Sequence, residues 1–458
     1  MRIPRIIIAG TGSGVGKTSI SIGLIRALSN RGMKVQTFKT GPDYLDPTHL
    51  SLASGRPCYN LDGWMMGKDY VRSLFSEKCL DADVAVIEGV MGIFDGAGGG
   101  TLDGSTAQIG KWLEAPILLA VNAHGVAGTF AALVKGCVNF TPDLNIAGIV
   151  ANNTGTERHI NLLKESLSCS GAPPLVGGIP RGGFEHLPGR HLGLVTAQTT
   201  SLSQDTLDGL ANSVEKYLDL DLIMKFASNA QDIEHRPQSE EQHASVKRIR
   251  IAVAKDKAFH FYYRDILEMI ETAGGEILGF SPMNDKAVPQ GAAGLYLGGG
   301  YPEEYAAELS GNRDMLDSIR DFTESGKPVY AECGGLMYLC KRIETEVKRF
   351  EMAGILPVET RMLNRRKSLG YVEATLRGDS LWGACGDVFR GHEFHYSELV
   401  GEPAESEGWE KVYSMKYLWA NDAVAEGYQK GNVLASYVHL HYASTPDALN
   451  HFLRKCKG

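Results

Sequence analysis

The chain has 458 residues, of which 43% are hydrophobic and 22% charged, so it is long enough for two or three domains and has the composition of globular proteins. A formal net charge of −8 argues against nucleic-acid binding, which usually requires a basic surface. No apolar run is long enough to span a bilayer, and no secretory leader precedes the first strand. We therefore expect a cytoplasmic protein without membrane or nucleic-acid partners. The eight cysteines lack CxxC spacing, which argues against a disulfide framework or a zinc site.

The N-terminal half alternates apolar segments with helix-length segments, a pattern typical of a parallel, doubly wound α/β sheet. The sequence predicts strands over residues 5–9, 34–38, 84–88, 117–121 and 146–150, and a helix over residues 17–31. Ligands of such sheets bind beyond the carboxyl ends of the strands. The polar side chains expected at this edge of the sheet are Lys39, Asp43, Asp46, Glu88, Asp95, Asn122 and Asn152.

The segment GTGSGVGKT connects the first predicted strand to the first predicted helix. Small residues in this position let backbone N–H groups converge on a phosphate at the helix N-terminus. The segment is a variant P-loop, because Thr11 occupies the place of the usual first glycine. The alternative is a glycine-rich turn without a ligand. The residues predicted to bind ATP in this loop are Gly12, Gly14, Val15, Gly16, Lys17 and Thr18, with the Thr18 hydroxyl also a ligand of Mg²⁺.

Two acidic segments follow the second and third predicted strands. KTGPDYLDP contains Lys39, Asp43 and Asp46, and IEGVMGIFDG places Glu88 at a strand end with Asp95 in the loop behind it. Carboxylates beside a P-loop are suited to Mg²⁺, which takes few carboxylates and completes its shell with water and phosphate oxygens. Taken singly, Asp43 and Asp95 are also ordinary turn residues. As a set, the segments favour a magnesium site.

Residues 227–248 are polar, charged and aperiodic, and they predict a linker between an N-terminal domain over 1–226 and a C-terminal domain over 249–458. The α/β pattern resumes beyond the linker, so the C-terminal domain is also predicted to be α/β. Its predicted elements are strands over residues 250–254 and 328–331 and helices over residues 263–273 and 336–342.

Cys333 follows a predicted strand and is followed by two glycines and a predicted helix. Such a sharp turn exposes a nucleophile at a helix N-terminus, where the helix dipole favours the thiolate. The N–H of Gly334 and an N–H of the Gly298-Gly299-Gly300 loop, assigned to Gly300, are predicted to form an oxyanion hole. A lone cysteine is more often a core residue, but the flanking glycines favour the nucleophile. The candidate bases are His260, His392, His395, His439 and His441.

Four segments of the first half, GTGSGVGKT, KTGPDYLDP, IEGVMGIFDG and ANNTGTERH, resemble the signature segments of the cobyrinate a,c-diamide synthase family, whose N-terminal domain is similar to dethiobiotin synthetase. The resemblance continues in the second half, which is similar to the class I glutamine amidotransferase domain of cobyrinate and cobyrate synthetases. The segments that carry it there are RIAVAKDKAFHFYYRDILEMIE, GLYLGGGYPEEYA, YAECGGLMYL, RGHEFHYSE and SYVHLHYAS.

This resemblance implies roles for particular residues. The residues on the family's magnesium positions are Thr18, Asp43 and Glu88. Those on its phosphate-binding and adenine-reading positions are Lys17, Lys39 and Asn152. Those on its substrate side are Tyr44, Leu45, Asp46 and Asp95. Its nucleophile and base correspond to Cys333 and His439.

The chain also departs from related proteins at two positions. Asn122 stands where related P-loop proteins often have aspartate, which leaves its role open. His441 stands where ordinary class I members have the glutamate of their catalytic triad. A Cys-His dyad with some other orienting partner is therefore expected.

The resemblance implies a ligase that uses ATP, Mg²⁺ and L-glutamine to amidate the a and c acetate carboxylates of cobyrinate, or of hydrogenobyrinate, through an acyl phosphate in cobalamin biosynthesis. Ammonia is expected to pass between the domains by a sheltered route, and a homodimer is left open. One alternative is the a,c-diamidation of nickel-sirohydrochlorin in coenzyme F430 biosynthesis. The other is a regulatory P-loop ATPase that binds a partner and makes no product, which Cys333 and its turn disfavour.

Overall fold

The computed structural model describes residues 3–184, 189–190, 193–194, 202–233, 248–420 and 422–457. The chain divides into two compact units, Met1–Glu240 and Glu241–Gly458. Most of the predicted linker, residues 234–247, lies outside the described residues. The packed part of the first unit continues beyond residue 226, because Ala227, Ala230 and Ile233 are buried.

The first unit is built on a parallel sheet. Its strands are β1 (Arg5–Gly10), β2 (Val35–Thr40), β3 (Cys58–Leu61), β4 (Val84–Glu88), β5 (Ile117–Asn122), β6 (Ile146–Thr154) and β7 (Leu175–Pro180). They lie in the order β3-β2-β4-β1-β5-β6-β7, and every neighbouring pair is parallel. Two short strands, β8 (Gly189–Arg190) and β9 (Gly193–Leu194), form a separate antiparallel pair. The predicted doubly wound sheet is therefore present.

The helices of the first unit alternate with these strands. They are α1 (Lys17–Asn30), α2 (Asp46–Ser54), α3 (Gly63–Met66), α4 (Lys68–Lys78), α5 (Thr106–Trp112), α6 (Gly128–Phe140), α7 (Glu157–Cys169), α8 (Gln204–Tyr217) and α9 (Leu220–Ser228). A hydrophobic core joins α1, α8 and α9 to the sheet. At Gly23 of α1 a Cβ would lie 2.7 Å from the Leu210 carbonyl oxygen of α8. Glycine therefore allows the two helices to approach closely and fixes α1, which follows the P-loop.

The second unit has more strands than the sequence predicted. They are β10 (Ile249–Ala254), β11 (Phe259–Phe261), β12 (Gly275–Phe280), β13 (Gly294–Leu297), β14 (Gly299–Gly300), β15 (Val329–Glu332), β16 (Cys340–Glu344), β17 (Arg349–Glu351), β18 (Leu356–Met362), β19 (Ser368–Leu376), β20 (Val388–His395), β21 (Ser397–Val400), β22 (Glu410–Tyr417), β23 (Ala423–Lys430), β24 (Val433–Ser436) and β25 (His439–His441).

The main sheet of the second unit is mixed. Ten strands lie in the order β12-β10-β13-β15-β24-β23-β22-β19-β20-β25. The pairs from β12 to β24 are parallel, and the pairs from β24 to β25 are antiparallel. The strand that leads to Cys333, β15, is therefore an inner strand of the parallel part, buried and bonded on both sides.

The helices of the second unit are α10 (Arg264–Thr272), α11 (Ala306–Gly311), α12 (Arg313–Glu324), α13 (Gly334–Leu339) and α14 (Asp447–Lys457), with short 3-10 helices at Glu405–Glu407 and Tyr442–Ser444. The helix predicted over residues 336–342 is wrong in its last turn, because α13 ends at Leu339 and β16 begins at once. Arg342 pairs with Glu351 and Glu359 on the neighbouring strands, so strand pairing overrides the local helical pattern. Among the described helices, none is long and apolar enough to cross a membrane.

Candidate active sites

The loop between β1 and α1 has the backbone of a glycine-dependent turn. Gly14 and Gly16 have φ angles of 76° and 98°, in the left-handed region that glycine adopts without steric cost. At Gly16 a Cβ would also lie 2.3 Å from Nδ2 of Asn152. A Cβ at Gly12 would meet open space, so Gly12 is less constrained than the other two glycines.

Asn152, the predicted adenine reader, lies against this loop. Its Nδ2 donates to the Val15 carbonyl oxygen at 2.9 Å, and its Oδ1 accepts from the Asn153 backbone N–H at 2.9 Å. Asn153 has a φ of 58°, and its side chain donates to Oδ1 of Asn122 at 3.1 Å. The three asparagines therefore support the loop, and adenine recognition by Asn152 stays a prediction.

Lys17 connects the P-loop to the loop that follows β4. Its Nζ donates to the carbonyl oxygens of Gly12 at 2.9 Å and Met91 at 2.6 Å. Met91 has a φ of 46°, which is strained for a residue other than glycine. Burial, together with the positive charge of Lys39, lowers the pKa of Lys17 to about 8. Lys17 therefore joins the P-loop to the loop after β4, and its contact with phosphate stays a prediction.

Sheet register brings Lys39 and Glu88 together. The two residues are direct partners on the parallel strands β2 and β4. Nζ of Lys39 lies 2.9 Å from Glu88 Oε1 and 2.5 Å from Asp46 Oδ2. Burial alone would lower the pKa of Lys39, but the two carboxylates outweigh burial and raise it. The predicted phosphate-binding lysine is thus charged and lies between a predicted magnesium ligand and a predicted substrate-side residue.

Glu88 also contacts the first turn of α1. Thr18 Oγ1 donates to Glu88 Oε1 at 2.6 Å, so two of the predicted magnesium ligands are adjacent. Glu88 Oε2 is buried and has no hydrogen-bond partner among the described residues. Burial and the neighbouring charge of Asp46 raise the pKa of Glu88 to about 7, although Lys39 opposes this shift. A buried carboxylate oxygen without a partner is costly, which marks the place where a cation would be stabilised.

Asp43 shapes the turn before α2. Its Oδ1 accepts from the backbone N–H groups of Leu45 at 2.8 Å and Asp46 at 3.1 Å. Asn60 holds the same turn by donating to the carbonyl oxygens of Gly41 at 2.9 Å and Asp43 at 2.7 Å. Burial and the charge of Asp46 raise the pKa of Asp43 to about 6. Asp43 is therefore a turn residue and a carboxylate of the cluster at the same time.

The other predicted substrate-side residues have different surroundings. Tyr44 and Leu45 are half-buried in the turn, whereas Asp95 is exposed. Asp95 Oδ2 accepts from the Gly92 backbone N–H at 2.8 Å, so the turn role foreseen for Asp95 is real. Its side chain is still at the loop that contacts Lys17, and contact with a substrate remains a prediction.

Cys333 occupies a strained position between β15 and α13. Its φ of 48° and ψ of −100° are rare for a residue other than glycine, and only 6% of the residue is exposed. Burial, followed by the negative charge of Glu303, raises the pKa of the thiol, and a hydrogen bond from the Gly334 N–H offsets only part of this. The turn therefore buries the thiol where the sequence predicted an exposed nucleophile, and burial outweighs the expected stabilisation of the thiolate at the helix N-terminus. The thiol needs a base.

The two predicted oxyanion-hole residues are neighbours. A Cβ at Gly334 would lie 3.0 Å from the Gly300 backbone nitrogen and 2.9 Å from Cδ of Pro302. A Cβ at Gly300 would lie 2.0 Å from the Ala258 carbonyl oxygen. Glycine is therefore required at both positions, and the Gly300 backbone nitrogen lies next to Gly334, the residue that follows Cys333. Donation by these two groups to an oxyanion stays a prediction.

His439 is buried on β25, beside the same glycine strand. A Cβ at Gly299 would lie 2.4 Å from Cε1 of His439, and the imidazole stacks on His392 with ring centroids 5.0 Å apart. Nδ1 of His439 lies 3.6 Å from Oε2 of Glu332. Because Glu332 directly precedes Cys333, the structure brings the predicted base to the strand end that presents the nucleophile.

The other candidate histidines have partners elsewhere. His441 Nε2 lies 3.0 Å from Asp265 Oδ2, and both side chains are buried. His395 forms a hydrogen bond of 2.7 Å through Nδ1 with the Ser397 carbonyl oxygen. His260 packs against aromatic rings, one of them Tyr301. Of the candidate bases, His439 is therefore the one that fits the role beside Cys333 best.

Each of the two units matches a known protein family. The model of the CobQ/CobB/MinD/ParA nucleotide binding domain matches residues 6–192, and that of the CobB/CobQ-like glutamine amidotransferase domain matches residues 250–447. The cobyrinate a,c-diamide synthase of Syntrophotalea carbinolica is 50% identical over 469 residues, which cover 100% of both chains. The chain belongs to the cobyrinate a,c-diamide synthase family. Further synthases of this name, from Leptospira interrogans and Salmonella typhimurium, are 44% and 39% identical over 100% and 98% of this chain and 99% and 97% of their own lengths.

Membership of the cobyrinate a,c-diamide synthase family confirms several predictions from the sequence. The family itself is confirmed, as is the α/β architecture with a P-loop nucleotide-binding domain and a glutamine amidotransferase domain. The prediction of a ligase that takes its nitrogen from glutamine is confirmed with it. The individual site residues remain predictions, supported by the geometry above.

Several residues of these sites were missed from the sequence. They are Asn60, Met91, Thr106, Asn153 and Glu332. Thr106 Oγ1 accepts from the Val90 backbone N–H at 3.0 Å and lies 3.4 Å from Oγ1 of Thr40. Glu332 had the clearest signal, an acid that ends an otherwise apolar strand directly before the cysteine. Met91 lies in a loop, whereas Asn60 and Asn153 lie in strands β3 and β6 and Thr106 begins α5. Their partners come from other segments of the chain, so no local pattern reveals them.

Proposed function

We propose that this chain catalyses the ATP- and glutamine-dependent amidation of the a and c acetate carboxylates of cobyrinate, or of hydrogenobyrinate, in cobalamin biosynthesis. One observation carries the proposal. The chain combines a P-loop whose lysine lies beside a buried Lys39-carboxylate cluster with a strained cysteine that directly follows Glu332, whose carboxylate lies 3.6 Å from the buried His439. The names of relatives that match its full length support this substrate.

The glutaminase half-reaction belongs to Cys333 and His439. As the sulfur of Cys333 attacks the side-chain carbonyl carbon of glutamine, its proton passes to His439. The N–H groups of Gly334 and Gly300 stabilise the oxyanion. His439 then gives the proton to the departing nitrogen, so ammonia leaves and a glutamyl thioester remains. Water hydrolyses the thioester to glutamate and returns the thiol.

The synthetase half-reaction takes place at the P-loop. A carboxylate oxygen of the macrocycle attacks the γ-phosphorus of ATP, ADP leaves, and an acyl phosphate forms. Lys17 and Lys39 offset the negative charge of the transferred group, while the turn containing Tyr44 and Leu45 contacts the macrocycle. Ammonia attacks the acyl carbon and phosphate departs, which leaves a carboxamide. The same sequence takes place once at each of the two acetates.

The residues present fit Mg²⁺. Within the described ranges, no three His, Cys, Asp or Glu residues form a protein-only metal cage, but Mg²⁺ with nucleotides uses one or two carboxylates and phosphate oxygens. The buried, unsatisfied Oε2 of Glu88 and the adjacent Thr18 hydroxyl supply such a partial set. Thr18, Asp43 and Glu88 would hold the ion. When bound, it neutralises phosphate charge during transfer.

The test is turnover of three purified macrocycles with ATP, Mg²⁺ and glutamine. Cobyrinate or hydrogenobyrinate should yield a diamide with two equivalents of ADP and glutamate, identified by mass spectrometry. Turnover of nickel-sirohydrochlorin alone would overturn the proposal in favour of the coenzyme F430 alternative. ATP hydrolysis without any amide product or glutamate release would overturn it in favour of a regulatory ATPase.

A further inference from the structure

The proposed base His439 needs a partner that fixes its ring. In ordinary class I members this partner is a glutamate two residues after the histidine, a position that His441 occupies in this chain. Nε2 of His441 lies 3.0 Å from Asp265 Oδ2. Asp265 is therefore engaged by another ring. The stacked neighbour His392 forms a hydrogen bond of 3.1 Å through Nδ1 with the Tyr263 hydroxyl.

We infer that Glu332, the residue directly before the nucleophile, is the positioning residue for His439. The inference rests on the proposed glutaminase roles of Cys333 and His439. Oε2 of Glu332 lies 3.6 Å from Nδ1 of His439, and the exposed fractions of the two side chains are 3% and 2%. This distance is slightly longer than a hydrogen bond, and contacts of catalytic groups commonly tighten when substrate binds. Water does not compete for either group at such burial.

The Glu332 carboxylate is fixed by three donors. Oε2 accepts from the Tyr296 hydroxyl at 2.9 Å, and Oε1 accepts from the Tyr330 hydroxyl at 2.8 Å and the Leu440 backbone N–H at 3.3 Å. Burial, with the charge of Glu332, raises the pKa of both tyrosines well above the usual value. The hydroxyls therefore remain donors. Because Leu440 follows His439 in the chain, its N–H also fixes the carboxylate relative to the imidazole.

The arrangement defines which nitrogen of His439 accepts the proton. A carboxylate beside Nδ1 favours the tautomer with hydrogen on Nδ1, which leaves the lone pair on Nε2. Nε2 takes the thiol proton of Cys333, and the Glu332 carboxylate stabilises the resulting imidazolium without accepting a proton itself. The proton then leaves with ammonia. Glu332 thus takes the role of the triad acid from a different place in the chain.

Glu332→Gln tests this role, because it keeps the shape and removes the charge. We expect kcat for glutamate release to fall by at least about 100-fold, with KM for glutamine changed by less than about threefold, since the lost interaction belongs to the transition state. Amidation driven by free ammonium should remain. The matched control is Glu426→Gln, a second buried acid of the same sheet that binds Ser436 Oγ and the Tyr437 N–H and should keep wild-type kcat.

Two further variants keep the inference testable if Glu332→Gln does not fold. Glu332→Asp should recover part of kcat, and Tyr296→Phe with Tyr330→Phe, which loosens the carboxylate but keeps it, should lower kcat by about tenfold. A folded Glu332→Gln variant with kcat within about threefold of Glu426→Gln would overturn the role, as would wild-type kcat in the double tyrosine variant. Wild-type protein that releases glutamate but makes no diamide would overturn the proposed substrate and leave the Glu332 result interpretable.

Discussion

Two buried glutamates, Glu88 and Glu332, end inner strands of the parallel parts of their sheets, yet their surroundings differ. Glu88 is paired with Lys39 and Thr18 through Oε1, while Oε2 has no partner within the part of the chain that the structure describes. Glu332 accepts hydrogen bonds at both oxygens, two of them from tyrosine hydroxyls. Glu88 therefore has a hydrogen-bond partner at only one of its two carboxylate oxygens within the described residues, whereas Glu332 has partners at both.

The difference indicates which ligands each site requires. An unsatisfied buried carboxylate oxygen is stabilised when a cation arrives, so the first unit is built to receive charge with its nucleotide. A satisfied and rigid carboxylate is suited to orienting another side chain, so we expect the second unit to act on glutamine with its own residues alone. Four experiments test this division.

The largest effect should come from the nucleophile of the second unit. Cys333→Ala should lower glutamine-dependent amidation by about 10⁴-fold or more, because loss of a covalent nucleophile leaves only binding and the oxyanion hole. Amidation with high free ammonium should persist, as measured by diamide formation. Cys340→Ala is the control, since Cys340 is also buried and lies outside the site. Loss of the ammonium-driven reaction in Cys333→Ala would show that the two sites are not separable.

Glu88→Gln should have the opposite effect and impair the ATP-dependent reaction while sparing the release of glutamate. It removes the charge that Mg²⁺ requires, so we expect ATP-dependent amidation to fall by about 100-fold or more, with glutamate release nearly unchanged. Asp43→Asn should act in the same direction. Asp62→Asn is the control, because Asp62 is a buried acid of the same unit that accepts from the Met65 N–H at the start of α3, a role that asparagine also fills. Normal synthesis by Glu88→Gln would make the carboxylate structural.

A smaller effect should appear in the pH dependence of ATP binding. The pKa of Lys17, about 8, lies below the usual lysine value, so the charged form that attracts phosphate is lost as pH rises through 8. The Kd for ATP should therefore increase by about tenfold between pH 7 and pH 9, measured by calorimetry. Lys39 stays charged across this range because its pKa is raised. The matched variant, Lys17→Met, should bind ATP weakly with no such slope, and a flat wild-type profile contradicts the assignment.

The smallest expected effect concerns the substrate-side turn. Leu45→Ala should change the order in which the a and c acetates are amidated and raise KM for the macrocycle by about fivefold, a loss typical of a partly buried leucine contact. Glutamate release and ATP affinity should be unaffected. Leu52→Ala, in the helix α2 that follows this turn, serves as the comparison, because Leu52 is 38% exposed. If both variants give the wild-type order of mono-amidated products over a time course, the turn is not part of the substrate site.

Much of the first site could be predicted because its residues lie in continuous segments at strand ends. The P-loop, the Lys39 turn and Glu88 each follow an apolar strand, so strand pattern alone placed them at one edge of the sheet. The partners of Lys39 could not be predicted in the same way. Its pairing with Glu88 depends on the register of β2 with β4, which no local pattern specifies.

The second site was predicted less completely. Cys333 was evident from its flanking glycines, but the effect of burial on its pKa was not, because burial depends on packing by distant segments. The end of α13 was placed too late for the same reason, since β16 exists only through pairing with β17 and β18.

The family, the two α/β units, the P-loop and the candidate nucleophile could be predicted from the sequence alone, because each is encoded by residue types at short, fixed spacings. Only the folded chain shows that Glu88 Oε2 has no hydrogen-bond partner among the described residues, and that Glu332 faces His439 across 107 positions of chain. These facts depend on strand order and register, in which residues far apart in sequence become neighbours. Electrostatic effects at such contacts follow from burial, and burial is a property of the folded chain.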